Sequence, residues 1–562
     1  MVFDLEGLMF HFEANTIGIR EQLSITITSM STMRNNYDVV ILGAGHNGLV
    51  AASYLARAGL SVLLLEKNNY IGGATISQQI FPDYDARLSQ YAYLVSLLPY
   101  KIIQDLGLKL ELRRRAIASC TPYMRHGHDG ALLLSNVDED VGRRSMCELT
   151  GNTTEYDGLK RFYALPRVFA DRVWDSMLEP LVSREEMARR FKVDEISREA
   201  WHVLVEEPLG NAVERYLRDD LVRGLVFTDA KVGVFTYPHD NSLLQNRCFL
   251  YHLIGNKTGE WKVPVGGMGV VSSELERAAR KAGAEMLTNV HIHALNVAGK
   301  TRAVQFFANG KDETVEARFV LVNFGRDLLA KFTGRFFQLD RTDEGSVFKI
   351  NMLLNRLPKL KAKKIPATEA FCGTFHSDEG YQQMSHSYDE ASGGRLPQKM
   401  PCEMYCHTLT DDSILAPELR ERGFHTLTLF GLDAPWSLFV RDNEKMRREA
   451  EKKYLASINQ WLEEPIESCL AQARDSSPCI ESKSPVDRED ALGMYHGNIF
   501  HNAPTFPFAE RKDQVGTWGV ETEYENVFFC GSSAVRGGAV SGIPGHNAAM
   551  KVLELCRKNS HA

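Results

Sequence analysis

The sequence predicts an α/β protein in which one domain is assembled from separated segments and an α+β domain is inserted between them. The first observation is a unit at 37–66, made of an apolar run, a glycine-rich loop, a helical pattern and a second apolar run. Short apolar runs bounded by turn residues are typical of strands buried in a parallel sheet. The second observation is that related patterns return at 263–322 and 526–557. Three distant stretches therefore contribute to one domain.

The length of 562 residues is consistent with roughly two to four domains. Residues 1–36 have no clear period and are predicted to be a disordered leader or an over-long start. We assign 37–110, 255–330 and 490–562 to the first domain and 111–254 and 331–489 to the second.

The composition limits the classes of partner. The formal net charge of −7 disfavours a nucleic-acid partner, because nucleic-acid binding usually requires basic clusters. No stretch approaches the roughly eighteen apolar residues that a membrane span requires, although a short apolar patch would suffice for contact with a membrane surface. The oligomeric state is left open by these observations.

The cysteines and the N-terminal residues bear on the compartment. The ten cysteines include no C-x-x-C pair, and no secretory signal is visible. Both features are typical of a reduced, intracellular protein. The cytoplasm is the predicted compartment; Asp4, Glu6 and Glu13 disfavour a mitochondrial transit peptide, but the mitochondrial matrix stays open.

The first motif is a G-x-G-x-x-G loop between a predicted strand, 37–42, and a predicted helix. In such loops the first glycine permits the tight turn, the second lets the backbone approach a pyrophosphate, and the third allows close helix–strand packing. The carboxylate at the end of the second strand can bind a ribose 2′-hydroxyl and would repel a 2′-phosphate, which disfavours NADP. The residues concerned are Gly43, Gly45, His46, Asn47, Gly48 and Glu66. This unit indicates a dinucleotide but leaves nicotinamide and flavin open.

Two further glycine-rich stretches favour a flavin. Glu66-Lys67 is soon followed by Gly72-Gly73-Ala74, which would let the chain pass beside the pyrophosphate and ribityl of a long cofactor. A strand at 526–530 precedes a glycine-rich turn and a helix that begins near Pro544. The N-terminus of that helix can favour the negative charge of a reduced flavin. The alternative for each stretch is an ordinary glycine-containing loop.

The remaining segments are read more coarsely. A helix at 272–282, a strand at 284–294 and a hairpin around Asn309-Gly310 are predicted for the middle of the first domain. The inserted segments are predicted to be mainly helical at 111–254. Strands at 347–354 and 426–430, a polar loop near 376–400 and a helix at 443–463 are expected thereafter.

Taken together, the motifs resemble those of the phytoene desaturase-like flavoproteins, which have an FAD-binding Rossmann domain of the glutathione reductase type. Within that family the resemblance is to the branch of pyridine nucleotide-disulfide oxidoreductase domain-containing protein 2. The stretches that carry it, in order along the chain, are GAGHNGLVAASYLARAG (43–59), IGGA (71–74), VPVGGMG (263–269), SPVDRED (484–490), GNIFH (497–501) and CGSSAVRGGAVSGIPGHNAA (530–549).

The resemblance implies a tightly held FAD and assigns residues to it. Gly43, Gly45 and Gly48 would contact the pyrophosphate with the loop residues His46 and Asn47, and Glu66, followed by Lys67, would contact the ribose. The adenine, ribityl and ring contacts would come from Val290, Gly72, Gly73, Ala74, Gly531, Ser532, Val540, Ile543 and Pro544. Many related flavoproteins have Gly-Asp where this chain has Gly531-Ser532, so a hydroxyl or backbone contact replaces a carboxylate there.

Catalytic residues are harder to find, because an apolar substrate needs no strong base when a flavin accepts the hydride. His501 is the candidate to orient substrate or move a proton, the alternative being a structural histidine. Tyr91 and Tyr93 are candidates to line a substrate tunnel, the alternative being core packing. No group of His, Cys and acidic residues has metal-ligand spacing, so no metal is predicted.

The function expected from these observations is that of an FAD-dependent dehydrogenase or desaturase. It would transfer a hydride from a largely apolar, isoprenoid or lipid-like small molecule to flavin N5, and a quinone or oxygen would accept the electrons. One alternative is an amine oxidase-like flavoenzyme. The other is a flavin-bearing interaction protein with little turnover.

Overall fold

The computed structural model describes residues 33–338 and 343–560, and the predicted leader at 1–32 lies outside the described residues. The strands are β1 (Asn36–Leu42), β2 (Val62–Leu65), β3 (Ser77–Gln79), β4 (Arg87–Ser89), β5 (Leu112–Arg113), β6 (Ile117–Arg125), β7 (His128–Ser135), β8 (Val263–Pro264), β9 (Glu285–Leu287), β10 (His291–Asn296), β11 (Arg302–Ala308), β12 (Lys311–Val322), β13 (Phe348–Leu354), β14 (Thr374–Ser377), β15 (Cys402–Tyr405), β16 (His425–Gly431), β17 (Ile480–Lys483) and β18 (Val527–Phe529).

The helices are named in the same way. They are α1 (His46–Arg57), α2 (Tyr100–Leu106), α3 (Glu139–Thr150), α4 (Thr154–Val173), α5 (Arg184–Arg189), α6 (Glu195–Trp201), α7 (Leu209–Tyr216), α8 (Asp220–Phe227), α9 (Leu244–Leu253), α10 (Met268–Lys281), α11 (Arg326–Phe332), α12 (Ala367–Ala370), α13 (Tyr381–Ser392), α14 (Pro417–Glu421), α15 (Asn443–Asn459), α16 (Pro485–Leu492) and α17 (Ile543–Ser560).

The first sheet has the strand order β10-β11-β12-β1-β2-β9, and β18 pairs with β12 beyond the end of β11. The pairs β12–β1, β1–β2, β2–β9 and β12–β18 are parallel. Helices α1, α10 and α17 pack together beside it. Side chains of β1 from Val39 to Leu42 are fully buried, as expected for a central parallel strand covered on both faces.

The second sheet has the order β17-β13-β16-β15-β14-β6-β7 and is antiparallel except where β14 meets β6. All its strands come from 117–135 and 348–483, whereas the first sheet takes its strands from 36–65, 285–322 and 527–529. The two sheets therefore alternate along the chain. The division into two domains with the predicted boundaries stays a prediction.

The coarse sequence reading was wrong in three places. A strand hairpin, β6–β7, begins the segment predicted to be mainly helical, and α13 occupies the predicted polar loop near 376–400. The strand predicted at 284–294 is interrupted between β9 and β10, where Asn289 has a φ of 56°. The Asn309-Gly310 hairpin is confirmed, with φ values of 52° and 81° that suit Asn-Gly turns.

A buried ion pair joins the helical part of the insertion to the second sheet. Lys231 Nζ lies 2.8 Å from Asp433 Oδ2 with both side chains fully buried, and it also donates to the carbonyl of Met384 at 3.1 Å. Burial lowers the pKa of Lys231 and raises the pKa of Asp433, so each charge depends on the other.

Replacing one partner of this pair should destabilise the protein more than replacing both. We expect Lys231→Met to lower the free energy of unfolding by about 3–5 kcal/mol, because it leaves the Asp433 carboxylate buried without a cation. The double variant Lys231→Met/Asp433→Leu should recover most of that loss. Denaturant unfolding measures both; equal destabilisation in single and double variants would contradict this account.

Candidate functional site

The parallel strands of the first sheet end side by side at one edge. Strands β1, β2, β12 and β18 finish at Leu42, Leu65, Val322 and Phe529. In open parallel sheets, ligands bind in the crevice outside the carboxyl ends of the strands. The segments that follow these strands carry the glycine loop, Glu66, Asn323 and Gly531-Ser532. Groups that are up to almost the whole chain apart therefore meet at one edge.

The glycine loop is shaped by backbone contacts that exclude side chains. Gly43 has a φ of +99° and its N–H donates to the carbonyl of Leu65 at 2.8 Å. A Cβ on Gly48 would overlap the carbonyl oxygen of Gly43. Helix α1 begins directly afterwards, and the N–H groups of its first turn have no intrahelical acceptor. They form a ready site for a phosphate group.

The glycine doublet packs against this loop. The N–H of Gly72 donates to the carbonyl of Ala44 at 3.0 Å. Gly73 has a φ of +59°, and a Cβ there would lie 3.1 Å from the Cα of Gly45. The doublet is thus required for a close approach of two backbone segments at the edge of the sheet.

Glu66 ends β2 and is oriented by two backbone donors. Its Oε2 accepts from the N–H of Ala44 at 2.8 Å and its Oε1 accepts from the N–H of Asn68 at 3.0 Å. A carboxylate has about four acceptor positions, so both oxygens retain capacity for ligand hydroxyls. The N–H of Val290 donates to the carbonyl of Glu66 at 2.9 Å, which holds the interruption between β9 and β10 beside it.

The sequence reasoning missed Asn323, which follows β12. Its Nδ2 donates to the carbonyl of Gly43 at 3.1 Å, and its backbone N–H donates to the carbonyl of Leu42 at 2.9 Å. A Cβ on Gly531 would lie 2.6 Å from Asn323 Oδ1. Asn323 therefore joins the first and last glycine motifs. The available signal was a polar residue directly after a buried strand of a parallel sheet.

A cavity of about 870 Å³ begins at this edge and extends to the second sheet. The predicted residues that line it are Gly43, Gly45, His46, Asn47, Glu66, Lys67, Gly73, Ala74, Tyr91, Tyr93, Val290, His501, Ser532 and Val540. Those that do not line it are Gly48, Gly72, Gly531, Ile543 and Pro544. The first three of these shape the backbone behind the lining, and Ile543 and Pro544 open helix α17.

The second sheet presents polar side chains to the cavity in two rows that cross its strands. The register pairs Lys349 with Phe430, Phe430 with Glu403, and Glu403 with His376. Two residues along each strand lies the second row, which consists of Asn351, Thr428, Tyr405 and Thr374. Alternate residues of a strand share a face, so the two rows face the same way. All of the first row and two members of the second line the cavity.

These polar residues were also missed by the sequence reasoning. Their signal is an alternation of apolar and polar residues within short buried strands: FKIN at 348–351, TFHS at 374–377 and CEMY at 402–405. The alternation predicts one polar face, but it does not reveal that this face borders a cavity rather than solvent.

The acidic groups facing the cavity have altered proton affinities. Burial, aided by the neighbouring charge of Glu379, raises the pKa of Glu403 to about 8. Burial also raises the pKa of Asp229 to about 6, against the opposing effect of His376. Such shifts are common at functional sites.

The predicted tyrosines lie between the two ends of the cavity. Tyr93 packs on Tyr405 with ring centroids 4.4 Å apart, and Lys349 Nζ lies 4.8 Å from the centroid of the Tyr93 ring. The hydroxyl of Tyr93 donates to Glu403 Oε1 at 3.4 Å. Tyr91 is buried, and its carbonyl accepts from Lys349. Their role in holding a substrate stays a prediction.

Two histidines face the cavity from the side of the first sheet. Burial lowers the pKa of both His46 and His501 to about 4, so both imidazoles are neutral near pH 7. His46 Nδ1 lies 3.1 Å from Thr75 Oγ1. His501 has a φ of 63°, and its Nδ1 has no hydrogen-bond partner among residues 33–338 and 343–560. That nitrogen is available to a ligand.

The glycine cradle, the oriented carboxylate and the long cavity together define a dinucleotide-binding α/β protein. A model for the NAD(P)-binding Rossmann-like domain matches residues 41–96. The chain is 44% identical over 531 residues to the uncharacterized protein Rv0897c of Mycobacterium tuberculosis, covering 93% of this chain and 98% of that protein. The chain belongs to the same family, the phytoene desaturase-like FAD-dependent oxidoreductases.

More distant relatives agree with this assignment. Pyridine nucleotide-disulfide oxidoreductase domain-containing protein 2 of Rattus norvegicus is 27% identical, with 92% of this chain and 93% of that protein covered. A limonene dehydrogenase of Castellaniella defragrans is 23% identical in one of its component chains, with 92% and 94% covered. The solved structure of cyclohexylamine oxidase from Brevibacterium oxydans has the same fold, with a TM-score of 0.53, 16% identity, and 93% and 99% covered.

The predictions of the family, the α/β fold class and FAD as the family's cofactor are confirmed. Within the described parts of the chain, no helix combines the length and apolar character that crossing a bilayer requires.

Adding a methyl group at Gly73 should impair cofactor binding. We expect Gly73→Ala to weaken FAD binding by about tenfold or more, because the new Cβ pushes the doublet away from Gly45. Gly107→Ala is the matched control: its φ is +63° and no atom lies within 4 Å of the added Cβ. It should cost about 1 kcal/mol of stability and leave FAD affinity unchanged. Fluorescence titration of apoprotein with FAD compares the two.

Removing the Glu66 carboxylate should weaken FAD binding by about 10- to 100-fold, since hydrogen bonds to charged groups contribute about 1.5–3 kcal/mol each. Asp38→Ala is the control, because Asp38 Oδ2 also accepts a backbone N–H, that of Ser61, at the opposite end of the same strands. Normal flavin retention in Glu66→Ala, or an equal loss in both variants, would contradict the ribose assignment.

Proposed function

We propose that the protein is a dehydrogenase or desaturase that oxidises a largely apolar small molecule with FAD as the resident hydride acceptor. The observation that carries this proposal is one continuous cavity, which begins at the glycine cradle and continues past aromatic and aliphatic walls. A substrate bound there would lie directly beside a dinucleotide held at the edge of the first sheet.

The residues present fit an extended FAD. The close backbone approach at Gly45 and Gly73 leaves room for a pyrophosphate, and the first turn of α1 supplies N–H groups. Glu66 would hold the ribose and the backbone of Val290 the adenine. Ser532 and Val540 would contact the ribityl and ring portions; both line the cavity. When bound, FAD supplies a two-electron acceptor at its N5, with a quinone or oxygen as the final acceptor.

The walls of the cavity favour an apolar substrate body. Large apolar side chains line its middle, among them Leu134, Tyr163, Leu225, Val232, Trp261 and Ile499. Such walls bind hydrocarbon by burial and exclude water from the site of hydride transfer. A relative that acts on limonene, a hydrocarbon, supports this substrate class.

His501 would position the substrate. Its neutral imidazole faces the cavity with an unpartnered Nδ1, so it can hydrogen-bond a polar atom of the substrate or accept a proton from it. Tyr91 and Tyr93 would complete the wall opposite. The chain's contribution is thus orientation and exclusion of water, and the redox chemistry belongs to the cofactor.

Oxidation of an amine is the second candidate. It is favoured by the acidic groups Asp229 and Glu403, which face the cavity near the paired rings of Tyr93 and Tyr405. A carboxylate beside aromatic faces suits a cationic amine. A flavin-bearing interaction protein with little turnover is a third possibility, and the same experiment separates all three.

The test is anaerobic mixing of the purified yellow holoprotein with isoprenoids, lipids and amines, followed by flavin absorbance. Rapid bleaching by an isoprenoid or lipid is the expected result. Bleaching by amines alone, with hydrogen peroxide formed in air, would select the second candidate. A protein that never takes up FAD would overturn the proposal, and failure of every metabolite to bleach bound flavin would favour the interaction protein.

His501→Asn should slow flavin reduction by the best substrate about 10- to 100-fold without loss of FAD. Asparagine tolerates the positive φ at this position, which limits structural disturbance. The folded-state pKa of His501 is lowered to about 4, so the wild-type rate should be constant above about pH 5 and fall as pH drops through about 4. The variant should lack that fall. His425→Asn, outside the cavity, is the control; unchanged kinetics in His501→Asn would reject the role.

A further inference from the structure

Three buried side chains on the second sheet bring metal-ligand atoms together. One ligand atom from each of His376, Glu379 and Glu403 lies within 4.8 Å of the other two, and all three residues are buried. They are far apart or irregularly spaced in sequence, which is why no metal was predicted from spacing. Two of them, His376 and Glu403, line the large cavity.

The sheet itself fixes this arrangement. His376 on β14 and Glu403 on β15 are register partners of an antiparallel pair, so their side chains stand side by side on one face. Glu379 follows three residues after His376, beyond a turn in which Asp378 has a φ of 55°. That turn returns the Glu379 carboxylate to His376, where its Oε2 contacts the imidazole Nδ1.

No side-chain cation compensates the two glutamates. Among the described residues, neither Glu379 nor Glu403 forms an ion pair with a lysine or arginine. The three buried or half-buried cations nearby have other partners. Lys231 binds Asp433, Lys349 donates to the carbonyls of Ser89 and Tyr91, and Arg115 donates to Thr374 Oγ1.

One carboxylate oxygen also lacks a partner. Glu379 is 2% exposed, and its Oε1 has no well-formed hydrogen bond with any residue of the described ranges. Burying a carboxylate without a cation or full hydrogen bonding is costly, so such groups are normally paired or coordinate a metal. Glu403 has one donor at long range, the hydroxyl of Tyr93 at 3.4 Å, which is the kind of outer contact that orients a metal-ligating carboxylate.

We propose that His376, Glu379 and Glu403 bind one divalent transition-metal cation at the wall of the cavity. An imidazole with two carboxylates suits Zn²⁺, Mn²⁺ or Fe²⁺ rather than a soft thiophilic ion. Three protein ligands leave at least one coordination position, and the cavity gives access to it. That position can hold an oxygen atom of a substrate on the side away from the glycine cradle. The metal site does not depend on the proposed redox activity.

The experiment uses the full-length, flavin-loaded protein. It is treated with EDTA, dialysed against Zn²⁺ or Mn²⁺ alone, freed of excess ion, and analysed for metal by mass spectrometry. About one cation per chain is expected for the wild type. Glu403→Gln and His376→Asn should each weaken metal affinity, measured by calorimetry, at least about tenfold. Glu379→Gln provides a third variant should one of these fold poorly.

Glu481→Gln is the matched control. Glu481 lies on β17 of the same sheet, contacts Gln90 and Asn351 through its carboxylate, and does not line the cavity. It should retain the wild-type metal content and affinity. Flavin content and melting temperature check that each variant is folded.

Two results would overturn the proposal. One is a wild-type protein that binds neither cation above background, in which case an infrared band of protonated carboxyl groups would identify the cluster as a neutral hydrogen-bonded network. The other is equal metal content in the three ligand variants, which would place the cation elsewhere. Neither result bears on flavin reduction, so the proposed function is tested separately.

Discussion

The close approach of three backbone segments at the carboxyl edge of the first sheet is the constraint on which the rest of the site depends. The glycine loop at 43–48, the doublet Gly72-Gly73 and the turn at Gly531 are all within van der Waals reach of one another or of Asn323. Any Cβ at these contacts would separate the segments. Because the cavity begins here, its position and its exposure of free N–H groups follow from the absence of side chains.

The second sheet contributes a different constraint. Its strands must bury one apolar face against α15 and the neighbouring core, and they leave the other face toward the cavity. A row of Lys349, Phe430, Glu403 and His376 on that face is expensive unless each polar group is satisfied. Lys349 meets this condition through backbone carbonyls, whereas the glutamates do not meet it with cations from the described parts of the chain. The unequal satisfaction along one row distinguishes a structural polar residue from a candidate ligand.

The two sheets therefore divide the labour within one cavity. The first offers backbone donors and one oriented carboxylate, suited to a dinucleotide. The second offers side chains with altered proton affinities, suited to the far end of a substrate or to a cation. Apolar and aromatic walls separate the two ends and keep water from the space between them. This arrangement accounts for a family that retains its cofactor motifs while accepting different substrates, since the substrate end is built from another sheet.

The sequence by itself determined the elements whose signal is local. The strand–loop–helix unit at 37–66, the hairpin at Asn309-Gly310 and the strand at 348–354 follow from short-range apolar periodicity and from glycine at positions of positive φ, and the structure has all of them. Only the tertiary structure decided which distant residues meet. Asn323 joins the first and last glycine motifs, and His376 stands beside Glu403, because strand order and register set these contacts. Neither is encoded in the spacing of the residues along the chain, so no reading of local pattern could have found them.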